Sequence, residues 1–158
     1  MAVEVLVVAN HFLSLAEDEG GLDALKLQRL VYIAYGWSLV CMDRAIFSEK
    51  IIAGPYGPLI ATLDLLLQRD FGEGKVANYL DPASAGTMFR ALPSRAVQLI
   101  EFVWNEYKKF DGRGLLAMTN HAETPWALTR VHARNDETLV IEPSLIEHHY
   151  LLLAQSAA

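Results

Sequence analysis

The sequence predicts a mostly α-helical domain, about six to seven helices around a central buried helix at 25–42, and three observations carry that prediction. From Leu30 to Met42 only Ser38 is polar, so this run has no wet face at any helical phase and must be wrapped on every side. It is too short for a bilayer span, which takes about 20 apolar residues. Elsewhere, apolar residues recur at helical spacing in several segments bounded by glycine or proline. Strand-like patterning is confined to short pieces: 45–53 first, with further candidates at 75–80 and 139–141.

The first helix is expected from Val3 to Glu17, with Leu6, Val7, Ala9, Leu13 and Ala16 facing inward and Gly20-Gly21 ending it. Asp23 is the predicted N-cap of the central helix, and Leu22 and Leu27 are spaced for a hydrophobic staple across it. The expected core of the domain includes Leu27, Leu30, Val31, Tyr32, Ala34, Gly36 and Trp37 from this helix and Trp104 from a later one. Gly36 costs about 1 kcal/mol of helix propensity, which points to another backbone passing close by.

After a turn at Asp43-Arg44, Ala45 to Ala53 reads as two short extended pieces. Gly54-Pro55-Tyr56-Gly57-Pro58 reads as a stiff irregular loop with Tyr56 near its tip, because two prolines fix φ and two glycines open left-handed conformations. Pro58 then opens a third helix with Leu59, Ile60, Leu63, Leu66 and Leu67 on its apolar face and Gly72 at its end. From Glu73 to Leu92 the pattern dissolves into a loop with one short strand near Val76 to Tyr79. Pro93 opens an amphipathic helix whose stripe is Ala96, Leu99, Ile100, Val103, Tyr107 and Phe110, with Gly112 as its C-terminal cap. A short helix follows at Leu115 to Asn120. Thr124-Pro125 starts another, Asn135-Asp136 turns, and Leu139 to Ile141 forms a strand. Pro143 begins the last helix, anchored by Ile146, Tyr150 and Leu153. No internal repeat or linker divides the chain, so one domain is expected over 1–158.

Composition bounds the function. The chain of 158 residues is 53% hydrophobic and 20% charged, which suits a filled core and leaves room for an apolar surface patch. A net charge of −6 makes nucleic-acid binding a poor reading, since that affinity rests on Lys and Arg neutralising phosphates. The lone cysteine, Cys41, excludes an internal disulfide and every multi-cysteine zinc site, and its place in the apolar run predicts a buried, inert thiol. Residues 1–16 lack a basic n-region, and Glu4, Asn10 and His11 interrupt the apolar run, so a cytoplasmic protein with no membrane association is expected.

Templates for chemistry fail in turn. No G-x-S-x-G elbow, phosphate loop or G-x-G-x-x-G is present, and the glycine pairs at Gly72 and Gly112 follow helices. His121-Ala122-Glu123 matches the H-x-E of zinc deaminases, but their P-C-x-x-C partner is missing; Glu123 near the positive end of a helix explains it better. His148 and His149 are adjacent and point about 100° apart on a helix, which makes them a surface pair, and His11 and His132 take the same reading. No catalytic residue, metal or cofactor is predicted. Trp126, at a helix start after a loop, and Tyr56 are the aromatics expected to be exposed. Aromatics on stiff loops make good interface anchors, because little entropy is lost when they bind.

Four segments together resemble the Panacea domain, the SocA-like antitoxin family also described as phage-associated. They are VANHFLSLA (8–16), KLQRLVYIAYGW (26–37) with IFSEKIIA and PYGPLI (55–60) after it, MTNHAETPW (118–126) and IEPSLIEHHY near the end. The resemblance spans about Val3 to Leu152. It departs from the family pattern at Gly54, where a bulky aromatic is expected, and at Asn120, where a histidine is expected and His121 comes one place late. The resemblance implies a helical scaffold without catalytic residues or cofactor that neutralises a cognate toxin, encoded nearby, by direct contact. The expected contact residues are Tyr56, Gly57, Pro58, His121, Glu123 and Trp126. An adaptor presenting a bound protein to a protease or chaperone is the alternative; a small-molecule enzyme or a DNA-binding regulator rank lower.

Overall fold

The computed structural model describes residues 4–70, 75–76, 92–131 and 139–156. Helix α1 is Val5–Leu15, and a 3-10 turn at Glu17–Glu19 follows it. The chain then takes φ of 78° at Gly20 and 98° at Gly21, which stops the helix as the glycine pair predicts. Val5, Val8 and Phe12 are buried with the expected Val7, Ala9, Leu13 and Ala16, whereas Leu6 is half-buried.

Strand β1, Leu22–Asp23, runs straight into α2, Ala24–Cys41. The Asp23 carboxylate accepts the Lys26 N–H at 2.7 Å. This is the predicted N-cap, with Leu22 and Leu27 both buried beside it. Every residue of α2 from Leu27 to Gly36 is buried. Further along, the environment changes: Trp37 and Val40 are half-buried and Cys41 is exposed. The prediction of a buried Cys41 is therefore wrong, because the last turn of α2 is covered on one face only, with Ser38 and Leu39 inside and Cys41 outside. Partial desolvation still pushes the thiol pKa up, so no thiolate is favoured there.

Strands β2, Ile52–Gly54, and β3, Gly57–Leu59, pair antiparallel in the register Ile52↔Leu59, Ala53↔Pro58 and Gly54↔Gly57. The segment predicted to be irregular is thus a hairpin with Pro55-Tyr56 as its two-residue turn. Pro58 stands in a strand, and helix α3 begins later, at Ala61–Asp70. A proline fits here because β3 is an edge strand of the sheet β3-β2-β5, where one row of N–H positions points away from the sheet's ladder. The third strand, β5, is Leu139–Val140, and Ile141 extends the pairing by donating to the Ile51 carbonyl at 2.8 Å.

On α3, Leu63 and Leu67 are buried, as is Ile60 just before it. Strand β4, Lys75–Val76, pairs with β1, so the short strand expected at 75–80 exists in part. The rest of the expected 73–92 loop lies largely outside the described residues, as do His132 and the Asn135-Asp136 turn. Helix α4 is Ser94–Tyr107, with Ala96, Leu99, Ile100, Val103 and Trp104 buried. Gly112 does not cap α4: it opens α5, Gly112–Asn120, where Asp111 accepts the Gly114 N–H at 2.8 Å as N-cap. Helix α6 is Pro125–Val131 and α7 is Pro143–Ser156. Ile146 and Tyr150 anchor α7 as predicted, but Leu153 is exposed.

Helices α1, α4, α5 and α7 all pack on α2, which confirms the mostly helical architecture built on a central helix. Gly36 is where α2 meets α7. A Cβ there would strike the ring of Tyr150, so a side chain, not the predicted backbone, explains the glycine.

Candidate functional site

The hairpin β2–β3 is fixed by side chains that reach its main-chain carbonyls. Pro55 cannot take the positive φ of a primed hairpin turn. Gly57 instead adopts φ of 135°, and a Cβ on it would strike the Arg29 guanidinium and approach the Asn120 side-chain oxygen. The Arg29 fork donates from Nη1 to the Pro58 carbonyl at 2.6 Å and from Nη2 to the Tyr56 carbonyl at 2.9 Å. Asn120 at the end of α5 donates to the same Tyr56 carbonyl at 3.0 Å. On the other side, the Trp126 indole N–H reaches the Gly54 carbonyl at 2.6 Å and Arg130 reaches the Ala53 carbonyl at 3.2 Å. Gln28 closes the base by exchanging hydrogen bonds with the main chain of Ile60, at 3.2 and 3.3 Å.

Arg29 is the unusual member. It is 3% exposed, its Nε has no hydrogen-bond partner among the described residues, and no carboxylate offsets its charge there. Burial lowers its pKa to about 10, with a small opposing effect from Tyr32. A buried cation satisfied only by carbonyl dipoles is costly to desolvate, so it holds the hairpin at some expense to the fold. The signal for it lay in the sequence. Gln28 and Arg29 interrupt the apolar α2, and no acid stands three or four residues from Arg29, so its partners had to be distant in sequence.

The hairpin turn exposes Pro55 and Tyr56, and Tyr56 is the large side chain it presents, 83% exposed. Gly57 and Pro58, expected to meet a partner, are buried and support the turn from below. Trp126 is half-buried with its N–H already engaged. Glu123 and His121 are exposed on the turn between α5 and α6, where the His121 carbonyl accepts from Thr124 and Thr124 Oγ1 caps α6 through the Ala127 N–H at 3.3 Å. The two departures from the family pattern meet here, since Gly54 and Asn120 both take part in fastening the hairpin. A cavity of about 340 Å³ lies beside it, walled by Leu25, Gln28, Arg29, Tyr56 and Leu67.

A larger cavity of about 920 Å³ opens between α2, α4, α5 and α7. Trp37, predicted to be core, forms part of its wall and donates from its indole N–H to the Tyr107 hydroxyl at 3.0 Å. Trp104, by contrast, is buried as predicted. His148 is exposed, whereas its neighbour His149 is half-buried, 6.3 Å from the His121 ring and edge-on to Tyr150 at 5.2 Å. Burial, then the charges of His121 and His148, lower the His149 pKa. His11 is also half-buried. Desolvation lowers its pKa and nearby Glu101 partly opposes that.

Among the described residues no three His, Cys, Asp or Glu side chains cluster as a metal would need, and no helix is long and apolar enough to cross a membrane. Comparison with curated proteins and with solved structures finds no match. Residues 27–127, from the start of the buried part of α2 through Trp126, match the family model described as Antitoxin SocA-like, Panacea domain. That match takes in α2 with its buried Arg29, the hairpin, and the Asn120 and Trp126 ties, and so the chain belongs to the SocA-like antitoxin family of Panacea-domain proteins.

Proposed function

We propose that this protein is a cytoplasmic antitoxin that neutralises one cognate toxin protein by direct contact, with the hairpin tip as the centre of the contact face. The carrying observation is Tyr56: a large aromatic, 83% exposed, on a turn whose carbonyl is held by both Arg29 and Asn120. A side chain presented on a fixed backbone loses little entropy on binding, and tyrosine is among the commonest anchors of protein interfaces. His121, Glu123 and the open edge of Trp126 complete the face, while Gly57 and Pro58 hold its shape.

The test is co-expression with the protein encoded beside this one. The neighbour is expected to arrest growth alone and to be silenced, and co-purified, when this chain is present. A harmless neighbour, or one that stays toxic, removes the reading. Tyr56→Ala is expected to weaken the complex at least tenfold, as loss of a hot-spot aromatic costs about 2 kcal/mol or more, and to leave the melting temperature unchanged. Full binding by the Tyr56→Ala/Trp126→Ala double variant would move the contact to another face.

A further inference from the structure

The large cavity between α2, α4, α5 and α7 shares only His121 with that face, and its chemistry points to a ligand of its own. Its floor reaches the central helix: Ile33 and Tyr150, only 1% and 3% exposed, line it together with Trp37. A helix laid on the surface would rest on the exposed ridges of α4 and α7 and leave such a floor empty. The volume of about 920 Å³ lies in the range of sites for small organic molecules.

Two polar groups inside are incompletely used. The Tyr107 hydroxyl accepts from Trp37, but no acceptor among the described residues takes its own proton. Among the described residues the His149 imidazole makes only ring contacts, with His121 and Tyr150. The polar groups of the lining are also distinctive. Lys109, the Tyr107 hydroxyl and the imidazoles of His121 and His149 all carry hydrogen-bond donors, against a single carboxylate, Glu106. Aromatic walls and a donor-rich lining with a spare hydroxyl proton together suit an apolar body that carries one anionic, acceptor-only group.

We infer that the cavity between α2, α4, α5 and α7 binds a small amphiphilic anion, with its apolar or aromatic body against Trp37 and Tyr150 and its anionic group toward Tyr107, Lys109 and His149.

The probe is 8-anilinonaphthalene-1-sulfonate, followed by fluorescence and displaced in turn by dodecanoate, dodecanol and dodecyltrimethylammonium. The expected result is saturable binding of one probe per chain, displaced at least tenfold better by dodecanoate than by the cationic analogue. Lys109→Glu, a change at an exposed position, is expected to abolish that charge preference. Met118→Trp, which fills the cavity, is expected to weaken the probe at least tenfold. Near-UV circular dichroism on each variant separates a filled site from a loosened fold. Non-saturable binding, displacement indifferent to charge, or wild-type affinity in a folded Met118→Trp overturns the inference, as does a helical peptide that binds where dodecanoate does not. The two readings fail separately, because Tyr56 does not line this cavity and neither Lys109 nor Met118 belongs to the Tyr56 face.

Discussion

The hairpin and the large cavity both border α5, the first through Asn120 and the second through Met118 and Thr119, and they are held in shape by different physics. The hairpin is fixed by directional polar bonds from Arg29, Asn120, Trp126 and Arg130 to carbonyls of its own main chain. The cavity is shaped by volume and ring contacts: Trp37 stands edge-on to Phe102 at 6.0 Å and to Tyr150 at 5.2 Å. Helix α2 serves both. Arg29 reaches the hairpin, and Gly36, seven residues or two turns further on, admits the Tyr150 ring. The contrast teaches that one central helix supports a precisely placed tip through buried hydrogen bonds and an adaptable hollow through packing.

The largest expected effect breaks the packing side. Gly36→Ala forces a methyl into the buried Tyr150 ring, and overpacking of this kind costs up to about 3 kcal/mol. A urea titration checks it. An unchanged midpoint would mean that α7 slides freely on α2 and that the cavity floor is not fixed. Next comes the polar side. Arg29→Met leaves the Tyr56 and Pro58 carbonyls short of donors, for about 2 kcal/mol, and the loss should concentrate in β2–β3. Amide exchange reads this directly: protection at residues 52–59 should fall more than in α4. Uniform loss across both would show that Arg29 supports the whole core and not the hairpin. Trp126→Phe removes a single hydrogen bond to Gly54 while keeping the ring, at about 1 kcal/mol. An effect equal to that of Arg29→Met would make the indole the principal tie.

The two regions were unequally legible in the sequence. Helical periodicity exposed α1, α2, α4 and α7, and local signals placed the Asp23 cap and the Pro143 start, because those features are decided within a few residues. The hairpin was not legible. Gly54 and Pro58 are strand breakers by composition, and the hairpin that holds them is braced from afar, by β5 pairing with Ile52 and Ala53 and by an arginine hidden in α2. Tyr56 at the tip could be read because a Pro-Tyr-Gly turn has only one outward position of any size. The cavity was unreadable for another reason. Trp37 and Leu153 sit in apolar runs that look like core, and only the angles between helices decide that these residues border a hollow.

The smallest effect asks whether the cavity side responds to acid while the hairpin does not. His149 and His11 both have pKa values lowered from 6.5 in the fold, chiefly by desolvation. Unfolded, each binds its proton near 6.5; folded, each stays neutral to lower pH. As pH falls through 6.5 the unfolded state therefore takes up more protons and stability drops, and the penalty is complete once pH is below the folded values. The urea midpoint should fall between pH 7.5 and pH 5.5, and His149→Gln should recover part of that fall. Protection of the hairpin amides should track only the global change, since Arg29, with a pKa of about 10, stays charged throughout this window. A His149→Gln profile parallel to wild type would show that His149 is as well solvated in the fold as out of it, and would place the burden of acid sensitivity on His11 and α1.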